Sequence, residues 1–517
     1  MTEGGETMSG RRVTSNVASD RSEQSDEAVL AGFGYKQELR RSLTPFELFG
    51  ISFSTTSITT GLFLMVGPTL AIAGPLGLWL VPIVAIPTLA VAAAYAALAR
   101  RVPIAGLEYQ WGLRVAGRLG GLIAGWLGFA ASLVGVVSVA YVLASTVLPA
   151  LFSYTSSPVA TTWVTIAVIA VLAVLLALSV KVPAAITKYA TISEIVAVVG
   201  LTILLIVVGA IRGHLFGGGL IVSRGGVPSS GYFSAGGWKT VGTFWLALTV
   251  VFYGAGTSGW QNAGAAAEEG RDPARSVPRA MYLTVITVTV LEVVFLLALV
   301  LNVKPGSLQA LGASPTAVAD VMRGTLGAPL AKAFLVIVGF NIMTCALAIF
   351  LQATRYVFAM SRDGNFLGSR MLKLATVAKR RGTPLNATIL CFVLIAIILG
   401  YFGTREGAYL NLIGAGGLSL VFAYLAGVTL YAVRGHRLPA LVPERFGRGA
   451  RWFMVAVAYA WLLFMLWVFH IPEFKNVWIY LAAMFGIGVV FVLGVLINPM
   501  NVNSRQTAEE QAGAQPV

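Results

Sequence analysis

Histidine and cysteine are nearly missing from this chain of 517 residues, with three of one and two of the other. His214, His436 and His470 are scattered too widely to build a metal site, and no metal or cofactor is expected. Cys345 and Cys391 both fall in apolar runs and read as small hydrophobes rather than a disulfide. Charge is scarce as well: 11% of the residues are charged and 57% are hydrophobic, for a mean hydropathy of +0.82. A soluble chain of this length needs a far more polar surface. No G-x-x-x-x-G-K-S/T loop is present, which argues against a nucleotide-driven pump. No nucleophile–base pair marks an enzyme.

What is present is a succession of apolar runs of roughly 20 residues, each long enough to cross about 30 Å of hydrocarbon. They predict an all-α polytopic membrane protein with about twelve transmembrane helices, near 46–72, 74–99, 118–150, 161–180, 185–211, 240–267, 278–303, 327–357, 384–403, 407–433, 451–470 and 476–498. The net charge of +15 suits this topology without a nucleic-acid partner. With the N-terminus placed inside the cell, all but eight of the 36 Lys and Arg lie on the cytoplasmic side. The eight are Arg212, Arg224, Lys239, Lys304, Arg323, Lys332, Arg405 and Lys475. That asymmetry places both termini in the cytoplasm of a multi-pass cell-membrane protein and suggests contact with anionic lipid headgroups. Residues 1–44 read as a mostly disordered cytoplasmic tail, 212–239 as an external loop, and 499–517 as a second cytoplasmic tail.

Two spans carry matching interruptions. The first contains Thr59-Thr60-Gly61-Leu62 and the sixth contains Thr257-Ser258-Gly259-Trp260. Glycine- or polar-interrupted segments at corresponding places in two halves point to a transporter binding site. Close helix contacts through glycine are the plainer alternative. The breaks lie five spans apart, an odd number, so repeats 45–211 and 240–433 have opposite orientations, with two further helices in 434–498. A half-helix starting near Gly61 would aim free N–H groups and its positive dipole end into mid-membrane, where a carboxylate is stabilised. The carbonyl ends of the first halves suit an ammonium group or a cation. Trp260 could stack on an ammonium or pack, and Tyr253 and Tyr141 are further candidates.

Several stretches resemble the amino acid–polyamine–organocation (APC) superfamily, most closely its amino acid/choline branch with the GABA permeases. They are GFGYKQELRRSLTPFELFGISFS (32–54), ALARRVPIAGLEYQW (97–111), AAAEEGRDPARSVPRAM (265–281) and QATRYVFAMSRDG (352–364) with TPLNATIL (383–390). The resemblance covers about 32–435 in order. It implies a LeuT-like five-plus-five inverted repeat, alternating access, and a site between spans one and six. Carried over, the substrate site is Ser57, Ile58, Thr59, Thr60 and Gly61, with Tyr253, Gly254, Ala255 and Gly256 opposite. Glu268 and Glu269 match the family's acidic pair at the cytoplasmic gate, and Arg362-Asp363-Gly364 its motif after span eight. The chain departs from the family at Trp260-Gln261, where an aromatic–acidic pair is common, and at Ala265, where a histidine is.

Glu194 and Glu292 lie inside apolar runs, at a cost of about 2.5–3.5 kcal/mol each on insertion scales. The resemblance puts Glu194 on span five, facing the break of span one at a cation site. Protonated, it would bond to the span-one carbonyls. It is expected to couple transport to a proton, with a sodium ion or a static role as alternatives. Glu292 has no site argument and is expected to be paired, and Arg355 to be paired or snorkelling. The expectation is a secondary active transporter for an amino acid or related small amine. The alternatives are a permease for a nucleobase-like heterocycle and a transporter-derived nutrient sensor.

Overall fold

The computed structural model of the chain describes residues 27–36, 41, 43–155, 157–178, 181–215, 248, 250, 251, 258–314, 316–378, 383–405, 407–444, 446–470 and 476–497. Among these residues the fold is helical, and the one extended pairing is an isolated bridge between Leu43 and Gly270. The first expected span is split into α1 (Pro45–Thr56) and α2 (Ile58–Ala73). There follow α3 (Leu80–Ala99), α4 (Leu107–Val142), α5 (Pro158–Leu178) and α6 (Lys181–Ile211). After the sixth-span region come α7 (Pro273–Leu301), the short α8 (Leu308–Ala313) and α9 (Ala317–Leu326), and the long α10 (Ala328–Arg362). The chain closes with α11 (Leu385–Ile398), α12 (Ala408–Val433), α13 (Arg448–Val468) and α14 (Val477–Ile497).

Among the described residues ten helices are long and apolar enough to cross a membrane, and the bent first span, taken as one, brings the number to eleven. The sixth expected span lies largely outside the described residues, which resume at Ser258 and continue as tight turns, Trp260–Gly264 and Ala267–Glu269. Large side chains such as Ile86, Val171, Ile203 and Val490 face outward, as expected where lipid replaces water as the solvent.

Local chemistry explains the segmentation. Thr44 and Glu47 form a reciprocal cap at the start of α1, with Pro45 in its first turn. Proline inside α2, at position 68, lacks the N–H that would bond back one turn. The first span bends by 43° between Pro45–Phe63 and Met65–Ala71. In α4 the helical path is broken at Ala116 and Gly117, whose φ is +69°. Only glycine adopts that conformation at little cost. The break lets Leu107–Val115 run as a separate arm, on which Glu108 and Tyr109 are both buried.

Packing places α1 and α2 at the centre. Ser52, Ser54, Thr55, Thr56 and Ser57 are all buried, an unusual polar content for a membrane core. Each hydroxyl is therefore matched with a partner. The ends of α3, α10 and α12 meet the starts of α4, α7 and α13 at one basic end of the bundle, where Arg101 bonds the Leu438 carbonyl at 3.0 Å and pairs with Glu444. Leu30, Tyr35 and Leu43, from the stretch read as a tail, are packed against this same end.

Candidate functional site

The break in the first span falls at Ser57, four residues before the position expected from sequence. Its φ of +41° takes it out of the helix, and Gly61 lies inside α2. The N–H groups of Ser57 and Gly61 still make helical bonds, to Phe53 and Ser57. Those at the start of α2 turn elsewhere. Thr59 donates its N–H to Oε1 of Glu194 at 3.0 Å, and Thr60 donates its N–H to Oγ of Ser57 at 3.3 Å. The same Glu194 oxygen accepts the hydroxyls of Ser57 at 2.8 Å and Thr59 at 2.9 Å.

Glu194 is thus buried at the positive end of a half-helix, where an anion is best placed. The resemblance had suggested that Glu194, when protonated, would bond to the carbonyls of span one. In this structure it accepts from donors, so its carboxylate occupies the kind of pole that was expected to hold a substrate's carboxylate.

The sixth-span segment is fastened directly to this break. Gly259 has φ +89°, and a Cβ built there would lie 2.9 Å from the backbone carbonyl of Thr55. Asn262 donates to Thr55 Oγ1 at 2.7 Å and to the Ala348 carbonyl at 3.0 Å. Ser52 donates its hydroxyl to the Trp260 carbonyl at 2.7 Å and accepts the Ala263 N–H at 3.0 Å. Gly259→Ala combines backbone strain with a clash against backbone, neither of which a rotamer change relieves. It is expected to lower the unfolding temperature by several degrees, read by thermal unfolding in detergent; an unchanged value would show that the two segments are not in contact.

A cavity of about 60 Å³ lies against both breaks, bounded by Thr56, Thr60 and Gly61, by Ser258, Gly259 and Gln261, and by Glu108, Ser132, Cys345 and Tyr356. Glu108 is the acidic group in this wall among the described residues. It accepts the hydroxyl of Tyr95 at 2.7 Å on one oxygen and the hydroxyl of Tyr356 on the other. A carboxylate has about four acceptor sites, so capacity is left for a donor in the cavity. Sequence reading passed over Glu108, because one acid at the start of a helix looks like an ordinary favourable end charge.

Trp260 is fully buried but does not bound the cavity. It stacks on Tyr424 with ring centroids 5.2 Å apart and meets Tyr95 edge-on at 5.3 Å. Tyr424 in turn donates to Gln261 Oε1 at 2.8 Å. Tyr253, Gly254, Ala255 and Gly256 lie outside the described residues.

At the basic end, Glu268 takes both Nη atoms of Arg362, at 3.0 and 3.1 Å, and the Ala105 N–H at 3.2 Å. Glu269 pairs with Arg355 through Nε at 3.0 Å and Nη2 at 2.8 Å. Arg362 also lies over the ring of Tyr35, 4.0 Å from its centre. Tyr35 and Tyr109 both donate to Asp363 Oδ2, at 2.9 and 2.8 Å. Burial pushes the Asp363 carboxyl above its ordinary range, while the Tyr109 hydrogen bond and the Arg362 charge pull it back. The acidic pair Glu268–Glu269 is in this way tied to the end of α10.

Glu292, expected to be paired, has no hydrogen-bond partner for either carboxylate oxygen among the described residues, and Glu194 lies within electrostatic range of it. Cys345 and Cys391 are both free thiols. No cluster of three or more His, Cys, Asp or Glu able to hold a metal occurs among the described residues.

A buried polar break in one span, fastened to a second break and bounding a small cavity, is an arrangement suited to enclosing a small solute. The chain is 25% identical over 486 residues to an uncharacterised amino-acid permease of Schizosaccharomyces pombe, covering 89% of this chain and 82% of that one. It is 32% identical over 103 residues, 19% of each chain, to the amino-acid permease BAT1 homolog of Oryza sativa subsp. japonica. The amino acid permease family matches residues 43–497, nearly the whole helical bundle, and the chain belongs to that family.

Proposed function

We propose that this permease is a proton-coupled secondary transporter of an amino acid or related small amine, working by alternating access around the paired breaks of spans one and six. The bonding of Glu194 carries the reading. A carboxylate is held in the membrane core by one N–H and two hydroxyls at the start of α2, beside the cavity rather than on a surface. A charge so placed needs those donors, and a shift of α2 that withdraws them favours the protonated form. Protonation and helix movement are then linked, which is the requirement for coupling.

In this reading the two repeats of five spans move against each other, with both termini in the cytoplasm. Ser57, Ile58, Thr59, Thr60 and Gly61, together with Tyr253, Gly254, Ala255 and Gly256, surround the solute. Its ammonium group faces Glu108, which retains acceptor capacity in the cavity wall. The pairs of Glu268 and Glu269 with Arg362 and Arg355 close the cytoplasmic end. The heterocycle alternative would use the face of Trp260 to stack a base, and that face is already taken by Tyr424.

The experiment is uptake of radiolabelled amino acids, GABA and polyamines by proteoliposomes under an imposed pH gradient, with a sodium gradient as the parallel arm. Accumulation driven by inward protons is expected. Accumulation driven by sodium alone, or equilibration without accumulation, would sink proton coupling.

A further inference from the structure

Thr60 belongs to two environments at once. It bounds the cavity, and its hydroxyl donates to Ser57 Oγ at 2.8 Å. The Ser57 hydroxyl in turn donates to Glu194 at 2.8 Å. The three groups form a continuous chain from the cavity wall to the buried carboxylate. From this juxtaposition we infer that the Thr60–Ser57 hydroxyl pair is a proton relay that loads Glu194 from the cavity and reports its protonation back to the solute. The inference rests on the proton-coupled reading above.

The hydrogen-bond accounting closes in both states. A serine hydroxyl has one donor and two acceptor positions. With Glu194 ionised, Ser57 donates to the carboxylate and accepts the N–H and the hydroxyl of Thr60. Thr60 then turns its proton away from the cavity. A proton arriving at Thr60 Oγ1 from the cavity displaces the proton already there onto Ser57. The Ser57 proton passes to Glu194 in the same shift. Each hydroxyl ends with one proton, and Glu194 ends neutral.

The chain has now reversed. Glu194 donates to Ser57, Ser57 donates to Thr60, and Thr60 points its new proton into the cavity. Ser57 still accepts the Thr60 N–H, and the Thr59 N–H and hydroxyl stay directed at the Glu194 carboxyl. A Thr60 donor aimed at the cavity stabilises an acceptor there, such as the carboxylate of an amino acid. An outward-turned Thr60 lone pair repels it. Loading a proton therefore prepares the cavity for a solute carboxylate, and by linkage a bound carboxylate favours the proton on Glu194.

The other ionisable groups around this chain are Glu292, on α7, and the Cys345 thiol, on α10. Each lies within electrostatic range of Glu194. Cys345, which also bounds the cavity, donates to the Thr55 carbonyl at 3.1 Å and lies within hydrogen-bonding reach of Thr60; Glu292 has no hydrogen-bond partner among the described residues. Neither makes a hydrogen bond to Glu194 among the described residues, so the direct route from the cavity wall to that carboxylate is Thr60–Ser57. Glu108, on α4, faces the same cavity and is engaged by Tyr95 and Tyr356.

Thr60→Val keeps the shape of the side chain and removes the relay, and Thr60→Ser restores it. Two readouts test the inference on the full-length protein. One is the appearance of the Glu194 carboxyl C=O infrared band after a rapid acid jump, with the band assigned by its absence in Glu194→Gln. Thr60→Val is expected to slow its appearance at least tenfold, and Thr60→Ser to restore it. The other is proton-driven accumulation of L-alanine, L-leucine, L-lysine or GABA in proteoliposomes, which Thr60→Val should lose and Thr60→Ser should recover.

If Thr60→Val loads Glu194 as fast as wild type, or accumulates solute as well, the relay is wrong even though coupling through Glu194 stands. If Glu194→Gln itself accumulates solute like wild type, the coupling reading falls first, and the relay with it.

Discussion

Glu194→Gln is expected to abolish uphill uptake while leaving exchange across the membrane intact. The amide keeps the size of the carboxyl and an oxygen able to accept from Thr59 and Ser57, so the start of α2 stays satisfied. It cannot gain or lose a proton. With one proton per solute, a gradient of one pH unit supports about tenfold accumulation; the variant should fall to simple equilibration. Counterflow of labelled against unlabelled solute should continue, and its rate should no longer vary with pH through the range in which wild type does. Glu194→Ala is a different experiment. It leaves an N–H and two hydroxyls buried without their acceptor, at about 1–3 kcal/mol for each unsatisfied group, and is expected to lose stability as well as coupling. Unchanged pH-driven accumulation in Glu194→Gln would remove Glu194 from the mechanism.

The second large effect concerns the lock at the basic end. Arg355 is 1% exposed and Glu269 is 3% exposed. Removing one member of a buried ion pair strands the other, at a cost of about 3–5 kcal/mol, whereas replacing both with apolar groups of similar volume is often neutral or stabilising. Glu269→Ala is therefore expected to lower the unfolding temperature markedly. The double variant Glu269→Leu, Arg355→Met should recover most of the loss. Thermal unfolding of the two variants in detergent separates the outcomes. A double variant as unstable as the single one would show that the pair contributes specific stability of its own. Transport by the double variant should still be slow, because two buried apolar groups do not part into water as readily as two charges do.

The sequence made the spans readable because lipid exposure leaves long uninterrupted apolar runs. It also pointed to an interruption in span one, and to another in span six, where the described residues from Ser258 onward run as tight turns. It misplaced the first interruption by four residues, since the break is set by an acceptor 137 residues away. Glu194 draws off the N–H and hydroxyl of Thr59, Ser57 becomes the cap, and Gly61 is free to be helical. A serine followed by Ile-Thr-Thr was the available signal, and it is a weak one. Trp260 was read beside its break, where a ligand-facing role was open. Its neighbours Tyr95 and Tyr424 come from α3 and α12, and nothing local in the sequence announces them. The pairing of Glu268 and Glu269 with two arginines about two turns apart on one face of α10 is likewise a property of the assembled bundle.

The most direct test of the account is the number of protons taken up when a solute binds to the purified permease. Calorimetric titration with a transported amino acid, repeated in buffers of different ionisation enthalpy, gives that number without any membrane or gradient. The account predicts an uptake near one proton per bound solute in wild type at neutral pH and near zero in Glu194→Gln. Binding that releases or takes up no proton in the wild-type protein would contradict it.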